Sequence, residues 1–172
     1  LFAQAGPGEL VWSDEFDKPG APDPAKWDYE TGFVRNQERQ WYTKDRRENA
    51  RVEGGNLVIE ARKEKFEKAQ YTAASLVTKG RASWSQGRFE VRAKLPRGRG
   101  VWPAIWLLGD RLVEDGWPLC GEIDVMEYVG FDPETVHANI HCKSYNHQQG
   151  TQKGAKLPLA EPWKDFHVYG LD

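Results

Sequence analysis

Residues 121–130, GEIDVMEYVG, place three carboxylates within six positions of an otherwise apolar run. Side chains alternate faces along an extended strand, so Glu122 and Asp124 share one face while Ile123 and Val125 take the other. Glu127 is five residues from Glu122, an odd spacing that would send it to the apolar side of a regular strand. A carboxylate buried there without a partner is severely destabilising. One extra residue near Val125 or Met126, a β-bulge, restores the parity and returns Glu127 to the face of the other two acids. The spacing predicts an irregular strand.

With that bulge the outer glutamates stand about four strand steps apart, on the order of 13 Å between Cα atoms. Side chains leaning together shorten the gap towards the roughly 5–5.5 Å at which two carboxyls cleave an acetal with retention. One carboxylate then attacks the acetal carbon while the other protonates the departing oxygen. Three neighbouring acids also raise one another's proton affinity, which keeps one of them protonated near neutrality as a general acid. A solvent-facing acidic strand or a hard-cation site fits the same three acids. Calcium loops, however, place their acids on Gly/Asp/Asn turns rather than on an apolar strand.

The elements that must carry these residues read as strands. RFEVRAKLP alternates Phe89, Val91, Ala93 and Leu95 against charged neighbours, and NLVIEAR sets Leu57, Ile59 and Ala61 on one face. VWPAIWLL is apolar on both faces, as for a strand covered on each side. TVHANIHCK places Val136, Ala138, Ile140 and Cys142 inward, with His137, Asn139, His141 and Lys143 outward. FHVYGLD starts a further strand. The Gly/Asp/Pro turn VGFDPET folds the acidic strand against the histidine strand as an antiparallel hairpin. Helical periodicity is scarce, so the class is all-β, a sandwich or barrel. The polar stretches 37–51 and 144–162 read as surface loops, where binding sites tend to lie.

The totals narrow the partners. At 172 residues the chain is long enough for one cored domain, and its net charge of -2 offers no basic face for nucleic acid. No apolar run approaches the roughly 20 residues of a membrane helix. Eight Trp, six Tyr and seven Phe are many aromatics for so polar a chain and suit neutral ligands such as sugars, although core packing also uses them. Residues 1–8 read as a leader remnant, with Ala3-Gln4-Ala5 as a cleavage site, which leans towards secretion to the extracellular space or periplasm. Cys120 and Cys142 show no C-x-x-C spacing, and hairpin geometry disfavours a disulfide between them.

These residues together resemble glycoside hydrolase family 16. GEIDVMEYVG is similar to its E-[ILV]-D-x-x-E signature, in the bulged version of laminarinases. NQERQWYT, GNLVIEAR, GRFEVRAKLPRGRGVWPAIWLL, GWPLCGEID and TVHANIHCKSYNH follow the laminarinase pattern in order. The resemblance implies a curved two-sheet β-jelly-roll sandwich of concanavalin type over residues 9–172, with a glucan cleft and without its C-terminal strands. It implies a secreted endo-hydrolase of β-1,3-glucans, with mixed-linkage glucan, an algal galactan or non-catalytic glucan binding as alternatives. Carried over by position, Glu122 is the nucleophile, Glu127 the acid/base and Asp124 the group that tunes Glu122. His141 approaches the acids, Trp102, Trp106 and Trp117 are sugar platforms, and Asn36, Glu38 and Arg81 contact hydroxyls. No cofactor is needed for catalysis. A structural Ca2+ is implied near an SDEF strand and a Gly-rich turn, at Glu15 and Gly54. With the whole domain present, a monomer is implied.

Overall fold

The computed structural model describes residues 8–172, so the leader reading at Ala3-Gln4-Ala5 lies outside the described residues. Two compact units are present, one ending at Ser85 and the other running from Gln86 to Asp172.

Among its described residues the first unit holds seven short strands: β1 (Asp28–Tyr29), β2 (Gln40–Tyr42), β3 (Ala50–Glu53), β4 (Asn56–Ile59), β5 (Arg62–Phe66), β6 (Ala69–Ala73) and β7 (Leu76–Val77). β1 pairs with β7, and β3 with β4 across the Gly54-Gly55 turn. β6 lies between β2, to which it is parallel, and β5, to which it is antiparallel. The buried interior here is partly polar. Asn49 accepts from the Thr43 hydroxyl at 2.9 Å and donates to Thr72 Oγ1 at 2.9 Å and to the Glu60 carbonyl at 3.0 Å. Buried polar groups persist only when bonded in this way. The Arg46 guanidinium, and then the Thr72 hydroxyl, hold Glu64 down to about 2.

The second unit contains β8 (Phe89–Ala93), β9 (Ala104–Leu108), the single-turn helix α1 (Leu112–Asp115), β10 (Glu122–Tyr128), β11 (Thr135–His141), a 3-10 turn (His147–Gln149), β12 (Lys153–Pro158) and β13 (His167–Leu171). Its main sheet runs β12-β11-β10-β9, every pair antiparallel, and β13 pairs with β8. Leu95, Val125, Met126, Tyr128, Val136 and Tyr169 form the buried core. The expected β10–β11 hairpin is present. Its turn is closed by the Asp132 amide on the Val129 carbonyl at 2.9 Å and by the Thr135 hydroxyl on Asp132 Oδ1 at 3.0 Å.

Several expectations need correction. The stretch 37–51 contains β2 and the start of β3, and 144–162 contains β12. β3 buries Ala50 and Val52 on one short face, whereas β12 is specified by pairing with β11, every one of its residues being exposed at the sheet edge. NLVIEAR is interrupted between Ile59 and Arg62, and Ile59 is exposed rather than inward. In β11 the parity holds but the depth does not: Val136 is buried, Ile140 is exposed, and the outward-assigned His141 is buried. Residues 13–16, SDEF, form no strand. Asp14 instead accepts from Trp27 Nε1 at 2.7 Å and lies 3.4 Å from Lys26 Nζ.

Candidate active site

β10 is bulged where its spacing demanded it. Against β11 the register slips between Asp124 and Glu127, and against β9 between Asp124 and Met126. Val125 and Met126 are both buried in the core, two successive residues turned inward. Glu127 is thereby released to the other face. Directly paired residues of neighbouring strands share a face, so three rows cross the sheet there. Leu108, Glu122 and His141 form one; Trp106, Asp124 and Asn139 the next; Ala104, Glu127 and His137 the third.

The acids differ in their surroundings. Glu122 Oε2 accepts from Trp117 Nε1 at 2.9 Å. Glu127 accepts twice, from Trp102 Nε1 on Oε1 at 3.0 Å and from Asn139 Nδ2 on Oε2 at 2.8 Å. Asp124, between them, is 5% exposed. Burial, reinforced by the charges of Glu127 and Glu122, pushes its carboxyl up to about 8. The crowding expected to retain a proton thus retains it on Asp124. His141 turns Nε2 towards both neighbours, 3.3 Å from Asp124 Oδ2 and 3.8 Å from Glu122 Oε1.

An aromatic wall stands beside Glu122. The Trp117 ring lies 4.7 Å from the His147 ring and 5.9 Å from that of His141, and the two imidazoles are 5.2 Å apart. The order of donors on Glu127 also depends on a glycine. A Cβ on Gly154, the β12 partner of Asn139, would fall 2.3 Å from Asn139 Oδ1 and 2.4 Å from the Ala138 carbonyl oxygen. Only a glycine leaves Asn139 that room.

The structure thus brings Glu122, Asp124, Glu127, Trp102, Trp117 and His141 together, with Trp106 on the same face opposite Asp124. Trp102 and Trp117 donate to the carboxylates through their indole N–H groups, which the expectation of sugar platforms did not include. Asn36, Glu38 and Arg81 belong to the first unit. Arg81 Nε donates to the Pro24 carbonyl at 2.7 Å, its Nη1 lies 3.3 Å from Asp28, and Glu38 lies 4.0 Å from Arg35. Asn36 takes a left-handed backbone with φ 52°. Sequence reasoning missed Asn139 and His147. Asn139 had a usable signal, because it alternates in phase with His141; His147 sits in a polar stretch with no periodicity.

Glu15 is exposed, and the Gly54 carbonyl accepts from Asn56 Nδ2 at 2.9 Å. Glu15 and Gly54 offer a carboxylate and a carbonyl, two of the roughly six to eight oxygens that calcium takes; among the described residues, the one group of three or more His, Cys, Asp and Glu side chains close enough to hold an ion is Glu122, Asp124 and His141. Cys120 and Cys142 are free thiols, as expected from the hairpin geometry.

Residues 37–172 match the model of the glycosyl hydrolases family 16. The chain belongs to that family. It is 57% identical over 168 residues to a beta-glucanase of Rhodothermus marinus, covering 95% of this chain. It spans 59% of the length of that relative. Among solved structures, the laminarinase from Rhodothermus marinus is 58% identical with a TM-score of 0.91, covering 94% of this chain and 66% of that one. SCLam, described as a non-specific endo-beta-1,3(4)-glucanase, is 48% identical with a TM-score of 0.91, over 95% of this chain and 67% of that one. That structure, a glutamate-to-serine mutant, presents 1,3-beta-D-cellobiosyl-glucose at its active site. The fold class is therefore the family's all-β jelly roll.

Proposed function

We propose that this family 16 chain carries the catalytic site of a retaining endo-β-1,3-glucanase acting on laminarin-type glucans. The observation that carries the reading is the bulge at Val125 and Met126, which aligns Glu127 with Glu122 on one face and leaves Asp124 buried between them. The relatives named as glucanases and laminarinase supply the substrate class.

In the first step Glu122 attacks the anomeric carbon while protonated Glu127 gives its proton to the departing glycosidic oxygen. A glycosyl ester on Glu122 results. Glu127, now ionised, then takes a proton from water as that water attacks the same carbon, and Glu122 leaves as a carboxylate. The Trp117 N–H on Glu122 holds the attacking carboxylate in place and accompanies its charge on departure. Trp102 and Asn139 fix Glu127 at both oxygens. Protonated Asp124 spares Glu122 a second negative charge at its side. The two glutamates carry both steps, so the reaction calls for no cofactor. Secretion is part of the same proposal, supported by the small-residue Ala3-Gln4-Ala5 stretch and the polysaccharide substrate.

Incubation of the chain with laminarin, lichenan and agarose tests the reading. Release of reducing ends from laminarin, with the β-anomer formed first by NMR, is expected, and Glu122→Gln should lower the rate by at least about a thousandfold while glucan binding persists. Cleavage confined to lichenan would move the specificity to mixed-linkage glucan. Binding of laminarin without any cleavage would make the chain a recognition module.

A further inference from the structure

The nucleophile and the two groups beside it have the composition of a ligand set for a transition cation. Glu122, Asp124 and His141 each present one ligating atom, and these atoms lie within 4.8 Å of one another. Two of the separations are 3.3 Å, Asp124 Oδ2 to His141 Nε2, and 3.8 Å, His141 Nε2 to Glu122 Oε1. Ligands about 2.0–2.2 Å from a tetrahedral zinc stand roughly 3.4 Å apart, so modest side-chain adjustment closes the site around one ion.

Burial supplies the second, independent observation. Asp124 and His141 are each 5% exposed, and Asp124 Oδ2, the oxygen aimed at the imidazole, has no hydrogen-bond partner. A buried acceptor held in this way lacks the stabilisation that a donor or a cation would give it. Register fixes the arrangement further, because Glu122 and His141 are direct partners across β10 and β11 while Asp124 sits one row away. Three anchored ligands with the Glu122 side open to substrate resemble a catalytic rather than a closed structural metal site in ligand number.

We propose that Glu122, Asp124 and His141 bind a borderline divalent transition cation, Zn2+ or Cu2+, and that its occupancy silences the site by engaging the nucleophile. The mixed imidazole and carboxylate set selects such ions over Ca2+ and Mg2+, which prefer oxygen alone and a higher coordination number. No covalent bond between heavy atoms changes; the proton that Asp124 otherwise keeps passes to solvent on binding, so that both carboxylates bind ionised and the imidazole binds neutral. The glucanase becomes one that transition-metal ions switch off and chelators restore. The binding step goes beyond the proposed glucan chemistry and stands without it; only the silencing rests on that reading.

Titration of the chain with Zn2+ by calorimetry, and with Co2+ as a visible-absorption probe of nitrogen and oxygen coordination, tests the binding directly. One equivalent should bind, Mg2+ and Ca2+ should not displace it, and laminarin hydrolysis should fall over the same Zn2+ range and return with EDTA. His141→Ala and, separately, Asp124→Asn should each weaken Co2+ and Zn2+ binding by about tenfold or more. Both variants are to be checked for native circular dichroism. Cys120→Ser with Cys142→Ser should bind as the parent does. Absence of heat and of a Co2+ spectrum in the parent chain overturns the proposal, as does loss of binding in the cysteine double variant. Unchanged affinity in a folded His141 or Asp124 variant does so too. If the chain binds the ion yet cleaves no glucan, the site stands and the hydrolase reading falls.

Discussion

Asn139 donates to Glu127 across β10 and β11 at 2.8 Å, although the two are not register partners. Asn139 faces Asp124, while Glu127 faces His137. The bulge tilts Glu127 back along its own strand until it meets the amide of the preceding row. The same irregularity that puts Glu127 on the open face therefore also selects its donor.

Removing that donor should misplace Glu127, the proposed acid/base, without unfolding the sheet. Asn139→Leu is expected to lower kcat/KM on laminarin by roughly ten- to a hundredfold, because small displacements of a reacting group are costly. Asn139→Asp should be worse, since it sets a fourth carboxyl against Glu127. Steady-state kinetics beside thermal melts would check this. A leucine variant with parental kcat/KM would show that Trp102 alone positions Glu127.

Trp117 serves Glu122 through its N–H and the site through its ring, and the two roles separate by substitution. Trp117→Phe keeps an aromatic face near His147 but loses the donor to Glu122 Oε2. We expect kcat to fall roughly tenfold with little change in KM. Trp117→Ala should lower kcat and raise KM as well. Equal kinetics for the two variants would place the whole effect in the ring.

Met126 is the more deeply buried of the two inward residues of the bulge and is 1% exposed. Met126→Ala leaves a cavity in the core against which the site rests, at a cost of about 2–4 kcal/mol. Urea unfolding should show a lower midpoint with an unchanged slope. A loss below about 1 kcal/mol would mean that the bulge collapses into the vacated space.

How much of this was legible in the sequence follows from what parity can and cannot say. The odd spacing of Glu122 and Glu127 fixed the bulge, because the alternative was an unpaired buried charge. The alternation of β11 fixed which residues share a face with His141. Parity does not say which end of a face is covered, so Ile140 was assigned inward though it is exposed. Edge strands such as β12, with Lys153 and Lys156, carry no apolar pattern because pairing alone forms them. His147 reaches Trp117 through a turn capped by the Asn146 side chain, a local feature that periodicity does not register.

Asp124 makes stability depend on pH in a direction opposite to that of a salt-bridged aspartate. Burial first, and then Glu127 and Glu122, raise its carboxyl from 3.8 to about 8 in the folded chain. Between those values the folded chain keeps a proton that the unfolded chain releases. The contribution of this group is therefore complete below the lower value, declines as pH rises through the window, and levels off above the upper one. The slope is at most about 1.4 kcal/mol per pH unit for one proton. Other groups titrate in the same range, so the informative quantity is a difference. Asparagine carries no titrating proton, and the Tm of Asp124→Asn minus that of the parent should climb steadily from about pH 4.5 to about pH 8 and then flatten. A difference that stays constant across that range would show that Asp124 is ionised in the folded chain, and that Glu122 works beside a second negative charge.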